Sequence, residues 1–535
     1  MPSQSLSGVL SFDYWQLMLP RVYEPSKVNE ILDSIREGVA IGRPPAEKIV
    51  CSPNWPSAYD FEQQVSDIIA NDLAHGRLHG PFTVPPYDTY IISPLGAFQK
   101  RDKTKIRVIH DLSYPHVGSV NSLIDPAEYS LQYSTVDNAV DACNSLPVAY
   151  MANIDLRDAY KAIRIRPQDW HLLGFEWKIT GSTPQYYFSK VLTFGLRSAP
   201  ALFDTFASAL EQFMTLEGVS ARIIRYVDDF LLVGGSAELV NDQLKLMIEV
   251  SERAGFAIQH SKVVQATRVT EFLGIVVDLE QGILRVSHER LVELKALLDE
   301  WLGLKSCSKR KLLKLIGKLA FAARVVRSGR AFLGRLIGLA KRAKALHHVV
   351  RLSAQARSDI NWWHSCIDKH NGTCIAKVDW SGDNVLHVYS DASNHGYGAV
   401  WGQKWFAVEY DGTVDGEIGV KSINWRELHA VTKALATWGP EWVGKLVQFH
   451  VDNAAAGFIL NRLYTPVQDL MELVRSWCYL IESHGVTPSI VYISTHDNTR
   501  ADLLSRGDLD GFLAIQGLNS TRVDPASFPY YDSTV

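Results

Sequence analysis

Two adjacent carboxylates set between two short apolar runs constrain this chain most. Ile223-Ile224 precede Tyr226-Val227-Asp228-Asp229, and Phe230-Leu231-Leu232-Val233 follow. The pattern predicts strand, tight turn, strand, with both acids at the turn. Asp is a good turn former, so the pair has a purely structural explanation. It also suits divalent cations. Magnesium is a hard ion that takes carboxylate oxygens, and two metals about 3.5–4 Å apart stabilise the attacking and leaving oxygens of a phosphoryl transfer.

Other segments favour the second explanation. In Asn153-Ile154-Asp155-Leu156-Arg157-Asp158-Ala159-Tyr160, a buried strand from Val148 to Ile154 would bring Asp155 to its end, within reach of Asp228. Asp158 reads equally well as a cap or turn residue, and Tyr160 as ordinary core. Thr193-Phe194-Gly195-Leu196-Arg197-Ser198-Ala199-Pro200 carries a glycine that permits close approach of backbone to a substrate.

The second half carries four acids in separate elements: Asp391, Glu427, Asp452 and Asp502. Strand, helix, strand and helix would each supply one, a set able to hold two metals for phosphodiester hydrolysis. Each acid alone has a structural reading. Asn424 with Glu427 fits a helix-capping box, and Asp502 fits an acid favoured at a helix N-terminus.

At 535 residues the chain is too long for one ordinary domain, and about two to four are expected. Cys51, Cys143, Cys307, Cys366, Cys374 and Cys478 are scattered, with no zinc spacing. Reduced core thiols and an intracellular location, cytoplasm or nucleus, are therefore expected. Met1 to Leu19 has no basic n-region or long apolar core, so no signal peptide is expected. No apolar run approaches the ~18–20 residues of a membrane helix.

The net charge of −4 argues mildly against nucleic acid as a partner, but its distribution matters more. Between Trp301 and Val350 there is no Asp or Glu, while Lys305, Arg310, Lys314, Lys318, Arg324, Arg327, Lys341 and others recur among leucines at helical spacing. Basic amphipathic helices suit a nucleic-acid backbone best, and also a membrane surface or a partner groove.

The expected organisation is an irregular N-terminal extension (1–55), a mixed region (56–284), basic helices (285–350), a connector (351–382) with Trp362-Trp363, a fresh α/β domain (383–507) and a loose tail (508–535). Phe272 to Val277 is expected to be one strand.

Taken in order, Asp-x-x-Asp-Ala-Tyr, Phe-Gly-Leu-x-x-Ala-Pro, Tyr-x-Asp-Asp and Phe-Leu-Gly (Phe272-Leu273-Gly274) resemble the palm motifs of reverse transcriptases. Ser93-Pro94-Leu95-Gly96, Ile109 to Pro115 and Ser119-Val120-Asn121 are similar to the fingers of DIRS-group retrotransposons, the tyrosine-recombinase retroelements. Lys318 to Leu336 looks like that group's thumb. The resemblance covers about 60–506. It implies an α+β multidomain chain with a right-hand polymerase of fingers, palm and thumb, then a connector and an RNase H-like α/β domain.

By that resemblance Asp155 and Asp228 bind both metals, helped by the Leu156 carbonyl and Asp229. Lys100 and Arg107 grip the triphosphate, as do the backbone N–H groups of Asp158 and Ala159. Tyr160 blocks a ribose 2′-OH, Phe194 and Gly195 floor the nucleotide pocket, and Lys262 donates a proton to the leaving pyrophosphate. A surface lysine is the competing reading for Lys262.

The ordered set Asp391, Glu427, Asp452 and Asp502 resembles ribonuclease H, with His496 assisting product release or proton transfer, or standing as an ordinary loop histidine. The implied cofactors are Mg2+ or Mn2+, two per active site. The implied partners are an RNA template, a DNA primer, an RNA–DNA hybrid and dNTPs. The alternative is a domesticated, non-catalytic nucleic-acid-binding protein derived from a retroelement. Loss of motif acids would mark it, and all are present.

Overall fold

The computed structural model describes residues 9–99, 105–368, 371–374, 380, 384–410 and 420–528. The chain divides into two compact units, Met1–Leu273 and Gly274–Val535, and mixed α/β structure fills both, as the sequence predicts.

In the first unit a four-stranded sheet runs in the order Val264–Thr267, Tyr150–Asp155, Asp229–Gly234, Arg222–Tyr226. The apolar run after the acid pair forms its interior, with Phe230, Leu231, Leu232 and Val233 all buried. Helices Ala199–Leu216 and Ala237–Arg253 supply Phe203, Phe206, Phe213 and Met247 to the same core. A five-stranded sheet and the hairpin Leu95–Gln99/Ile106–His110 form the rest.

The N-terminal extension is not irregular. Helices Phe12–Met18 and Pro25–Glu37 occupy it. Trp15 is fully buried, donates from Nε1 to the Ala254 carbonyl (2.8 Å) and packs edge-on against Phe206 and Phe213. Pro44-Pro45 and Pro53 favour loop, yet the helices lie ahead of them. The run Phe272 to Val277 is also not one strand. Leu273 and Gly274 take φ of 50° and 81° between the strands Val269–Phe272 and Ile275–Asp278.

In the second unit a six-stranded sheet runs Thr487–Tyr492, Leu446–Val451, Val385–Ala392, Gly396–Trp401, Lys404–Glu409, Thr521–Arg522. The first three strands are mutually parallel, and Gly396–Trp401 is antiparallel to both of its neighbours. Helices Ile423–Trp438 and Gln468–His484 pack on one face through Phe406–Trp438 and Phe449–Trp477 ring contacts of 5.2 and 4.9 Å. On the other, Val400, Trp405, Leu504 and Phe512 form a smaller cluster.

The tail is therefore not loose throughout. Leu509–Gln516 is a helix that buries Phe512, and Thr521–Arg522 pairs with Lys404–Trp405.

The basic window forms two helices, Lys309–Ala322 and Gly334–Arg342. The helix before them, His288–Leu302, is not basic, and its Glu293 pairs with Lys318 at 3.1 Å. The connector contains a packed helix, Ala354–Cys366, in which Trp362 stacks on Phe332 (3.9 Å) and buried Asp359 pairs with Arg335. Cys143, Cys307 and Cys478 are buried thiols. Among the described residues no helix is long and apolar enough to cross a membrane.

Candidate active sites

The first site is set by strand register. Asp155 ends its strand and is the Cα partner of Asp229, which begins the next. Tyr226 is the Cα partner of Asp229 on the other side, so Val227 and Asp228 form a two-residue hairpin turn. Val227 has φ +57°, and a β-branched residue there is a true conformational outlier. The Asp228 carbonyl accepts from the Leu156 N–H at 3.1 Å, tying the turn to the Asp155 strand.

Burial raises the pKa of Asp228, and the Asp155 charge adds to it. Asp229 is pushed up to about 7 by burial, then by Asp228 and by its hydrogen bond with Asp155. Lys262 places Nζ 2.7 Å from Oδ2 of Asp155. Burial pulls the lysine pKa down, but the hydrogen bond to Asp155 and the surrounding carboxylates outweigh it and raise it. These mutually repelling acids, relieved by one ammonium, suit a divalent cation. They do not meet as tightly as the second cluster below.

Arg107, Tyr160, Phe194 and Gly195 come together beside these acids. The Arg107 guanidinium lies 5.9 Å from the Phe194 ring centroid, and its charge lowers the Asp228 pKa. Tyr160 is buried, with ring centroids of Phe194 and Phe203 at 4.9 and 5.4 Å. Phe194 is 52% exposed.

Gly195 has φ +100°, and a Cβ there would meet the His110 carbonyl oxygen at 2.5 Å. Asp158, in the left-handed region, pairs with Arg77 at 3.1 Å, and Ala159 opens the short turn that holds Tyr160. Lys100 lies outside the described residues.

Asn121 belongs to the Ser119-Val120-Asn121 block, whose residue types alone imply no role for it. It is buried and bridges two loops, donating to the Gly195 carbonyl (2.7 Å) and to Ser113 Oγ (2.9 Å) and accepting from the Arg197 N–H (2.8 Å).

At the second site Asp391, Glu427 and Asp452 each offer a ligand atom, all within 4.8 Å of one another. Asp391 comes from the strand Val385–Ala392 and Glu427 from the helix Ile423–Trp438, while Asp452 directly follows the strand Leu446–Val451. The helix is capped by Ser422, whose side chain accepts from the Trp425 N–H. Asn424 is therefore not its cap, and Glu427 joins the acids rather than a capping box.

Burial pushes Glu427 up to about 10, with Asp391 and Asp452 adding to it. Its Oε2 is buried with no hydrogen-bond partner among the described residues. Burial likewise raises Asp391 to about 7, opposed by a hydrogen bond from Ser505. An orphaned buried carboxylate oxygen among like charges fits a cation.

Asp502 stands in the helix Thr499–Ser505, outside the tight cluster. Its Oδ1 takes Arg506 Nε at 2.8 Å, and its charge still raises Asp391. His496 has a side chain 98% exposed and is not part of the cluster.

Residues 99–277 match the reverse transcriptase (RNA-dependent DNA polymerase) family. The chain carries a reverse transcriptase domain of the retroviral and retroelement type. It is 28% identical over 147 residues to the Gag-Pol polyprotein of gibbon ape leukemia virus, covering 26% of this chain and 9% of that protein. Against the Gag-Pol polyprotein of Rous sarcoma virus subgroup B it is 26% identical over 223 residues, 41% of this chain and 13% of that one. The match thus spans about a tenth of each viral polyprotein.

Among solved structures, a foamy viral protease-reverse transcriptase in complex with double-stranded DNA has a TM-score of 0.48 and 15% identity, covering 92% of this chain and 84% of that chain. The same viral protein with an RNA/DNA hybrid has a TM-score of 0.48 and 14% identity, covering 92% and 63%.

Proposed function

We propose that this chain is an RNA-directed DNA polymerase with a fused ribonuclease H, encoded by a retrotransposon of DIRS-like type. The observation that carries the reading is the register that sets Asp155 opposite Asp229 beside the Asp228 turn. The nuclease half rests on the Asp391, Glu427 and Asp452 cluster. The DIRS-like assignment rests on the blocks Ser93–Gly96, Ile109–Pro115 and Lys318–Leu336. Fingers and palm are assigned to 56–284, the thumb to 285–350, a connector to 351–382 and the RNase H-like domain to 383–507.

Bound to these carboxylates, divalent cations (Mg2+ or Mn2+, two per site) would activate the nucleophile and neutralise developing charge. The residues do the positioning. Asp155, Asp228 and Asp229, with the Leu156 carbonyl, would hold the cations against which the primer 3′-OH and the α-phosphate of a dNTP align. Arg107, with Lys100, grips the triphosphate as a planar fork, helped by the backbone N–H groups of Asp158 and Ala159. Tyr160 fills the space a ribose 2′-OH would need, over the floor of Phe194 and Gly195. Lys262 protonates the leaving pyrophosphate. In the nuclease, Asp391, Glu427, Asp452 and Asp502 align a water on the RNA strand of the hybrid, which the 2′-OH distinguishes from DNA, and His496 assists release. The exposed Arg310, Lys314 and Lys341 of the basic helices, with exposed Arg324 in the turn after the first, meet phosphates.

The test is primer extension on an RNA template beside hybrid cleavage. Asp228→Asn is expected to stop synthesis and spare cutting, and Glu427→Gln to do the reverse. Loss of both activities from either single change contradicts two separate sites. A wild-type protein that binds hybrid and does neither would establish the non-catalytic alternative. Template affinity should fall steeply with salt.

A further inference from the structure

Ser505 is fully buried at the end of the helix Thr499–Ser505. Its hydroxyl stands 2.5 Å from Oδ2 of Asp391 and 2.9 Å from the Asp502 carbonyl. A hydroxyl has one proton to give, and the charged acceptor makes the stronger bond, so the proton goes to Asp391. The Ser505 carbonyl in turn accepts from Ser393 Oγ at 2.6 Å, two residues beyond Asp391. One residue therefore pins the helix to the strand end that carries Asp391. That helix also bears Asp502, itself held by Arg506.

A carboxylate on a strand end has two free side-chain torsions. Among like charges it would swing away from Glu427 and Asp452, whose ligand atoms lie within 4.8 Å of its own. The Ser505 hydroxyl opposes that swing by fixing Oδ2.

We infer that Ser505 is a positioning residue for the nuclease cluster: its hydroxyl locks Asp391 in the rotamer that faces Glu427 and Asp452 and so sets the affinity of those acids for a divalent cation. The inference rests on the nuclease reading above.

The test uses the full chain carrying Asp155→Asn and Asp228→Asn, which disables the palm acids, and measures Mn2+ binding by calorimetry and electron paramagnetic resonance. In that parent, Ser505→Ala is expected to weaken Mn2+ binding by about 10–100-fold, the usual cost of losing an outer-shell partner. Ser505→Thr, which keeps the hydroxyl, should restore it. Ser505→Cys keeps the volume but donates weakly, should fall between, and decides the matter if the alanine variant does not fold. Parent-like Mn2+ binding in Ser505→Cys, or no restoration by Ser505→Thr, overturns the inference. Asp391→Asn separates the two readings. If it binds Mn2+ as the parent does, the cation site itself is wrong, whatever Ser505 does.

Discussion

Lys262 and Asp155, 107 positions apart in the chain, meet as an ion pair of 2.7 Å. The lysine is the nearest counter-charge to three crowded carboxylates, and it is also 62% exposed, on the side open to solvent. A proton donor to pyrophosphate needs such mobility. Lys262→Ala is expected to slow single-nucleotide incorporation about 10²-fold or more, the range for a lost general acid, with little change in dNTP KM. Rapid-quench kinetics check this, and an unchanged rate would reduce Lys262 to a surface ion pair.

Val227 sits at φ +57° at the first position of the hairpin turn. Holding a non-glycine residue there costs about 1–3 kcal/mol, and glycine gives back about 0.4–1 kcal/mol through the freer unfolded chain. Val227→Gly should therefore raise the melting temperature slightly, by a few degrees at most, as read by thermal unfolding. The valine is half-buried against the core, so a clear fall would show that this packing outweighs its backbone strain.

Tyr160 is held between Phe194 and Phe203, so its ring cannot move aside for a bulkier sugar. Tyr160→Phe should keep discrimination against rNTPs, while Tyr160→Ala should loosen it by at least about tenfold, which corresponds to about 1.4 kcal/mol. The alanine variant also empties a buried site and should lose about 3–5 kcal/mol of stability. Incorporation ratios and thermal unfolding together check both effects. Equal discrimination in all three proteins would remove Tyr160 as the gate.

Stability in chelator should fall as pH rises. Asp391 and Glu427 titrate at about 7 and about 10 in the folded chain, against ordinary values of 3.8 and 4.5. Between those limits the native state binds more protons than the unfolded chain, so unfolding becomes easier with rising pH. A cation at the cluster replaces those protons. The Mn2+-induced rise in melting temperature should thus be larger near pH 8 than near pH 5, by several degrees at about 2–4 °C per kcal/mol. An equal rise at both pH values would contradict the burial-driven shifts.

Much of this was legible along the chain because it is local. Alternation and turn chemistry placed the hairpin at Asp228, the strand ending at Asp155, and the strand, helix, strand and helix that bear the nuclease acids. The structure puts Asp228 in that turn and Asp155 at the end of Tyr150–Asp155, where a strand from Val148 to Ile154 is expected. The helices of the first 40 residues were obscured by the prolines that follow them. Phe512 and the last strand lacked enough periodicity to show.

Which residues meet was written nowhere in the local pattern. Asn121 clamping Gly195, Lys262 on Asp155 and Ser505 on Asp391 each join segments 74 to 114 positions apart. Residue order could specify strands, turns and the acids they carry, because each depends on neighbours within a few positions. Sheet register and helix docking decided the partners, because hydrogen bonds and buried charge are settled by distance in space.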